Sequence, residues 1–375
     1  MRLTINKDYF IKALLASSKA TASKSPQPIL LNLKLVLSEK GLEIIGSNGE
    51  ISIKSLVPYM IGEETIIKDA RNGSCLLNAH ILCEAVRKLE GNELSFEVID
   101  DSIVKIDDGR SSFKLNSIKV EEYPDIDLNT EESTCLNLSS KAFGELVDKT
   151  AFAVATKNQH MALICIHFEA KEGKLIATST DSARLSRAEM LINEDVNFAT
   201  NIPGKTLLDI VHLFETESSL RMSVTPRKVI FEYQNLVISC SVVASDYPNI
   251  ASVIPQNFNY YLEINARELV NAIDRARVVS SDAEPVVKLS MKDESVEITA
   301  RSDNSGSSLE KIETFKFNGD RLEISFNSQF VIDAIRAVGG EDVTFAFVAE
   351  TKPFAVKNPK DESIVEIITP MRTAI

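Results

Sequence analysis

The chain contains no tryptophan, and none of its apolar runs approaches the roughly 20 residues of a membrane-spanning helix. Its first residues, Met1-Arg2-Leu3-Thr4-Ile5-Asn6-Lys7-Asp8, carry charge where a secretory signal places its apolar stretch. A cytoplasmic protein without a membrane partner is expected. Cysteine is scarce. Five residues (Cys75, Cys83, Cys135, Cys165, Cys240) are scattered through 375, with no Cys-x-x-Cys pair. That pattern argues against a disulfide framework and against a zinc site, and it fits free thiols in a reducing compartment. Histidine is scarcer still. His80, His160, His167 and His212 lie far apart. The motifs G-x-x-x-x-G-K-[ST], G-x-G-x-x-G, H-E-x-x-H and G-x-S-x-G are all missing. Adjacent acids such as Asp100-Asp101, Asp107-Asp108 and Glu121-Glu122 read as solvated turns rather than acid/base pairs. No catalytic residue, metal ligand or cofactor is expected. Lysine and arginine number 41 against 54 acids, for a net charge of −13. A whole-surface grip on nucleic acid is thereby excluded, but a basic charge gathered on one inner face is not.

What the chain has in abundance is repetition. Apolar residues at Leu3, Ile5, Phe10, Ala13 and Leu14 return at Leu136, Leu138, Phe143, Leu146 and Val147, shifted by 133. They return again at Leu262, Ile264, Leu269, Ala272 and Ile273, shifted by a further 126. The first two positions alternate like a strand and the last three keep helical spacing. A second block, Leu77 to Arg87, matches Ile202 to His212 and Phe326 to Arg336. It carries an acid at Glu84, Asp209 and Asp333 and a basic-type side chain at Arg87, His212 and Arg336. A third, Tyr123-Pro124-Asp125-Ile126, returns as Tyr247-Pro248-Asn249-Ile250. A period this long implies repeated domains rather than a solenoid. Boundaries are expected after the Tyr-Pro pairs, giving domains 1–124, 125–250 and 251–375.

Between the helical blocks lie paired apolar runs with short polar turns. Ile29 to Leu37 is followed by Gly41 to Ile53. Leu163 to Phe168 and Leu175 to Thr180 flank Lys171-Glu172-Gly173-Lys174, and Val286 to Met291 and Val296 to Arg301 flank Lys292-Asp293-Glu294. These are hairpins of antiparallel sheet. Strand, helix, strands, helix, strands is an α+β plan. The helical blocks also carry basic side chains: Lys7, Lys12 and Lys19, then Lys141 and Lys149, then Arg267, Arg275 and Arg277. The second blocks add His80, Arg87, Lys88, Lys205, His212 and Arg336. These residues form either ordinary solvated helix faces or a concentrated basic surface.

Four local motifs bear on that choice. They are Lys24-Ser25-Pro26-Gln27-Pro28-Ile29-Leu30-Leu31-Asn32, Thr180-Asp181-Ser182-Ala183-Arg184-Leu185, Tyr247-Pro248 with Val253-Ile254-Pro255, and Ile367-Ile368-Thr369-Pro370-Met371-Arg372. With the three-unit plan, they make the whole chain resemble the bacterial sliding clamp family, the beta subunit of DNA polymerase III. The resemblance implies a non-catalytic, ring-shaped, head-to-tail homodimer of clamp-type domains, with sheets outside and helices lining a central hole. Such a ring encircles double-stranded DNA without sequence specificity. It tethers the replicative DNA polymerase, and it also binds the clamp loader and other clamp-binding-motif proteins. A monomeric protein-binding scaffold of the same fold is the first alternative, separated by ring closure, and an enzyme with an unrecognised site between domains is the second, separated by an activity screen.

The resemblance also implies sites. Lys24 and Lys157 match DNA-contacting loop positions, and Lys205, Arg87, Lys149 and Arg275 join them on the helical blocks. A hydrophobic pocket for a partner's peptide matches Leu163, Thr180, Arg184, Leu185, Pro248 and Val253 of the second domain. From the third come Asn327, Phe330, Phe354, Ile367, Ile368, Pro370, Met371 and Arg372. A dimer interface matches Phe113 and Leu115 on one side and Val278 and Val279 on the other. Ser182 stands where the family motif has glycine, Thr369 where it has methionine, and Thr373 where it has leucine. These changes make the pocket rim more polar.

Overall fold

The computed structural model describes residues 1–22, 27–100, 102–157, 160–280 and 285–372. Lys24 and Thr373 lie outside the described residues. Six α-helices occur among those described: α1 (Lys7–Ser18), α2 (Ala79–Lys88), α3 (Ser140–Ala151), α4 (Gly204–Val211), α5 (Ala266–Ala276) and α6 (Ser328–Val338). They occupy the repeated blocks in pairs. Each starts directly from a strand, and four share one starting device. Asn6, Asn78, Asn265 and Asn327 are extended residues whose side-chain oxygens accept backbone N–H groups of the first turn. The burial pattern follows the helical period. On α5, Ala266, Leu269, Ala272, Ile273 and Ala276 are buried.

Contacts divide the chain into two compact units, Met1–Lys141 with Asp209–Val242, and Ala142–Leu208 with Val243–Ile375. The first unit holds an antiparallel eight-stranded sheet, ordered Thr134–Ser139, Ser219–Val224, Lys228–Tyr233, Leu236–Ser241, Ile51–Val57, Gly41–Ser47, Asn32–Ser38 and Gly73–Asn78. It also holds a five-stranded sheet, ordered Ser112–Asn116, Ile103–Asp107, Glu93–Ile99, Arg2–Asn6 and Ile67–Arg71. Phe10 and Leu14 of α1 and Leu82 and Val86 of α2 meet Leu35 and Phe96 in its core. The second unit holds a nine-stranded sheet, ordered Phe198–Pro203, Cys165–Lys171, Lys174–Thr180, Arg184–Leu191, Asp361–Ile368, Phe354–Asn358, Asp342–Phe347, Tyr260–Asn265 and Phe315–Asn318. Beside it is a four-stranded sheet, Gly306–Ile312, Ser295–Ser302, Val286–Lys292 and Leu322–Asn327.

Two sequence expectations are refined. Gly41 to Ile53 is not one strand, because Asn48 accepts the N–H groups of Glu50 and Ile51 and turns the chain. Ile29 and Leu163 lie in short 3₁₀ turns, Pro28–Leu31 and Met161–Ile164, that lead into the strands. The cysteines are unbridged, and burial pushes the thiols of Cys75, Cys165 and Cys240 up to about 12, which keeps them protonated. No described helix is long and apolar enough to cross a membrane.

The caps carry a measurable share of stability. Asn265 accepts from the Glu268 N–H at 3.1 Å. Asn265→Ala is expected to cost about 1 kcal/mol in urea unfolding, and Asn265→Asp a few tenths of that. An unchanged midpoint for the alanine variant would remove the cap from the account.

Candidate functional site

The turn Asp181-Ser182-Ala183 joins two strands of the nine-stranded sheet and delivers Arg184. The Asp181 carboxylate accepts the N–H groups of Ala183 and Arg184 at 2.9 and 3.0 Å. Thr180 Oγ1 donates to the Arg184 carbonyl at 2.6 Å and accepts from the Ser182 N–H at 3.1 Å. Ser182 sits at φ +79°, a conformation that costs a non-glycine residue about 1 kcal/mol or more. The Arg184 guanidinium is held between two carboxylates and two aromatic rings. Its Nε donates to Asp181 at 3.0 Å and its Nη1 to Asp333 at 2.9 Å. The rings of Phe330 and Phe152 stand 4.4 and 5.1 Å from its central carbon. A delocalised, weakly hydrated cation suits such an aromatic and carboxylate cage.

The fourteen sequence-predicted groove positions sort by depth. Phe354, Ile367, Ile368, Leu185 and Leu163 are fully buried floor residues, and Thr180 is nearly so. Strand pairing sets Arg184 against Ile368 and Leu185 against Ile367. Phe354 also pairs with Ile368 and stacks on Phe326, Phe345 and Phe347. Arg184, Asn327, Phe330 and Pro370 are half-buried, and Asn327 caps α6 through the N–H groups of Gln329 and Phe330. Pro248, Val253, Met371 and Arg372 are exposed. Ile250 and Ile254, on either side of Val253, pack over Leu185 and Ile367. The tail is fastened down, since Thr369 N–H donates to the Ala183 carbonyl at 2.9 Å and Met371 N–H to the Ser325 carbonyl at 2.7 Å. Pro370, Met371 and Arg372 there line a cleft of about 590 Å³ with Thr369, Lys288, Glu323 and Glu350. No described bond joins Leu163, Pro248 or Val253 to the Arg184 cage.

Phe152, Asp181, Asp333 and Gln329 were not among the predicted groove residues. Two of them carried a signal: Asp181 lay inside the Thr180–Leu185 motif, and Asp333 was the recurring acid of the helical block. Its counterpart Asp209 has no such arginine among the described residues, because Ile51 occupies in the first repeat the strand position that Arg184 takes in the second.

The predicted cations are dispersed. Arg87 pairs with Glu84, Arg275 with Glu310 at 2.6 Å and Lys149 with Asp361 at 3.6 Å. Lys157 and Lys205 are exposed and form no ion pair among the described residues. Lys7 turns its ammonium onto the Leu89 carbonyl at the end of α2. Phe113 and Leu115 lie half-buried on the edge strand of the five-stranded sheet and pack on its core. Val278 follows α5 in a single turn and is 79% exposed, and Val279 beside it is half-buried.

The chain is similar to known proteins along its whole length. Family models for the N-terminal, central and C-terminal domains of the DNA polymerase III beta subunit match residues 1–127, 137–249 and 251–372. The chain is 32% identical over 378 residues to the beta sliding clamp of Bacillus subtilis, covering all of both proteins. It is 30% identical over 377 residues to that of Staphylococcus aureus, again over both full lengths. The crystal structure of the Bacillus subtilis DNA polymerase sliding clamp matches with a TM-score of 0.96 at 30% identity, covering 100% of this chain and 99% of that one. A Streptococcus pneumoniae DNA polymerase III beta chain matches at 0.94 and 30%, covering 99% and 100%.

One buried acid lies under the groove. Glu366 is 1% exposed, and Ser186 Oγ stands 2.7 Å from its carboxyl and 2.8 Å from the Lys149 carbonyl. Burial pushes the Glu366 carboxyl well above the ordinary carboxylate range, against the opposing pull of the Ser186 hydrogen bond and the Arg184 charge. A hydroxyl has one proton, so both contacts are satisfied when neutral Glu366 donates to Ser186 and Ser186 donates to Lys149. A raised folded-state value means that the stability from this group is complete below the unfolded value and is lost as pH rises through the folded one. Glu366→Gln is therefore expected to be more stable than the parent at pH 8, by about 1 kcal/mol or more, with the gap closing toward pH 4.5. Melting temperatures of both proteins across that range decide the point, and a gap independent of pH would contradict it.

Proposed function

The chain belongs to the DNA polymerase III beta subunit family, the bacterial sliding clamps, and we propose that two copies close head to tail into a ring around duplex DNA. In this family the subunit is a non-catalytic processivity factor, and this chain is one. The ring slides without reading sequence and tethers the replicative polymerase, and its groove also receives the clamp loader and other proteins bearing a clamp-binding motif. The work is cytoplasmic, and the domains are 1–124, 125–250 and 251–375.

One observation supports the dimer above the others. In the nine-stranded sheet, a four-strand half ending in Arg184–Leu191 joins a five-strand half ending in Asp361–Ile368. The separate four-stranded sheet repeats the first half element for element, and the five-stranded sheet repeats the second. Their matching edge strands, Gly306–Ile312 and Ser112–Asn116, each pair with one neighbour and leave the outer edge unpaired among the described residues. An exposed edge is a template for another strand. A second copy supplies it, completing a nine-stranded sheet across each seam. Carrying over the pairing of Arg184 with Ile368 and Leu185 with Ile367 sets Gly306 opposite Leu115 and Ser307 opposite Lys114. Exposed Val278 supports the same seam.

DNA contact is assigned to Lys24, Lys157, Lys205, Arg87, Lys149 and Arg275, which meet phosphates and carry no base information. Lys157 and Lys205, having no carboxylate partner among the described residues, contribute most. Peptide binding is assigned to the groove: Leu163, Thr180, Leu185, Phe354, Ile367 and Ile368 as floor, Arg184, Asn327 and Phe330 as one wall, and Pro248, Val253, Pro370, Met371 and Arg372 as rim. A flexible methionine on the rim suits a site that receives several sequences.

Light scattering after size exclusion is expected to give about 83 kDa, twice the 41.4 kDa chain, through dilution to the micromolar range. Val278→Asp with Val279→Asp is expected to give 41.4 kDa, because two charges would be buried at the seam without partners. The parent, loaded on circular DNA, stays bound until the circle is cut. A parent that remains monomeric, or that leaves circular and linear DNA equally fast, would overturn the ring. Deleting Met371 to Ile375 is expected to abolish stimulation of the polymerase while the mass stays near 83 kDa, and undiminished stimulation would displace the groove assignment.

A further inference from the structure

The Arg184 cage does not end at the groove. Asp333, which holds Arg184 Nη1 through one carboxylate oxygen, accepts at its other oxygen from Gln329 Nε2 at 2.7 Å. Gln329 Oε1 accepts from Arg277 Nη1 at 2.8 Å, and Arg277 Nη2 pairs with Asp274 at 2.9 Å. Arg277 is the residue before Val278. A continuous chain of polar contacts thus runs from the turn Asp181–Arg184, across one face of α6, to the end of α5 that carries the seam valines. Every member from Arg184 to Arg277 is half-buried, so these contacts are less screened than surface pairs.

We propose that Asp333 and Gln329 are positioning residues shared by the groove and the seam, so that a change at Arg184 alters the strength with which two copies associate. This rests on the groove and seam readings given above. The physical step is competition for one carboxylate. While Asp181 holds Arg184 Nε, the guanidinium offers Asp333 a single N–H, and the second Asp333 oxygen stays open to Gln329. When the Asp181 bond is lost, the guanidinium turns to meet Asp333 with two N–H groups, the geometry that arginine and carboxylate favour. That oxygen then serves both groups, the charge-assisted bond weakens the Gln329 contact, Arg277 loosens from α6, and the turn bearing Val278 and Val279 loses one of its tethers. A partner peptide that presses on Phe330 or draws Arg184 aside acts through the same step. By linkage, dimer formation changes peptide affinity by the same factor.

The test reads the seam while changing the far end. Asp181→Asn keeps the oxygen that organises the turn and removes the acceptor of Arg184 Nε. Its dimer dissociation constant, from sedimentation over a dilution series of the full chain, is expected to rise about fivefold or more. In a Gln329→Met background, where the chain is already cut, adding Asp181→Asn is expected to change the constant less than twofold. Asp333→Asn serves as a second break if Asp181→Asn melts early. A constant within twofold of the parent for both Asp181→Asn and Asp333→Asn would overturn the proposal. So would an Asp181→Asn effect that survives undiminished in Gln329→Met. Failure of the seam reading looks different: the Val278→Asp, Val279→Asp protein would then dimerise like the parent.

Discussion

Backbone pairing across repeat boundaries is the constraint on which the structure depends. In each unit, strands from two different repeats meet edge to edge: Ile51–Val57 with Leu236–Ser241, and Arg184–Leu191 with Asp361–Ile368. At the first junction Ile53 pairs with Ile238, and both are buried. No repeat therefore closes its own sheet. Each leaves a row of N–H and C=O groups that only the next repeat can satisfy, and leaving such groups unpaired away from water is expensive. The second repeat is divided between the units for this reason. Its strands Ser219–Ser241 belong with the first repeat, and Cys165–Leu191 with the third. The same rule leaves two unpaired edges at the ends of the series, and those edges favour a second copy over a lone scaffold.

How much of this could be read in advance follows from what periodicity records. A shift of 133 or 126 in apolar spacing reports which side chains must be buried, so the six helices and their flanking strands were legible from Leu3, Phe10, Leu269 and their counterparts. The caps were not read from the sequence, although Asn6 and Asn265, like Asn78 and Asn327, occupy equivalent positions in the repeats. Pairing between repeats was not legible. It depends on which edge meets which, and apolar alternation in Ile51–Val57 is satisfied by either neighbour. The Arg184 cage was hidden for a different reason. It joins positions 149 residues apart, and its members Phe152, Asp181 and Asp333 are individually ordinary. Only their convergence on one guanidinium distinguishes them.

Net charge illustrates the same gap between composition and place. At −13 the chain carries a surplus of acid, yet much of it is spent locally. Arg87, Lys149 and Arg275 each have a carboxylate within ion-pair distance. Exposed pairs of this kind add only about 0–1 kcal/mol to stability, so phosphate can displace them at small cost. An exposed lysine without such a partner among the described residues, as at Lys157 and Lys205, needs no displacement. In the proposed ring, counterion release at these lysines would supply binding that is independent of sequence and falls with salt, the form of attraction that lets a ring slide without being held at one site.

The serine at position 182 shows how the groove resists drift. At φ +79° a side chain is strained, and glycine, as in the family motif, would relieve it. The turn nevertheless keeps its shape, because Thr180 and Asp181 over-determine it. Thr180 Oγ1 accepts the Ser182 N–H, and the Asp181 carboxylate accepts the next two. The same Asp181 carboxylate then holds Arg184 Nε. Strain at Ser182 is therefore balanced by bonds that also aim the guanidinium. A substitution that relaxed the turn at the expense of Asp181 would stabilise the loop and misplace the arginine. The polar character of Ser182 and Thr369 alters what a partner meets at the rim. The cage beneath is set by Asp181, Asp333 and two aromatic rings, none of which those changes touch.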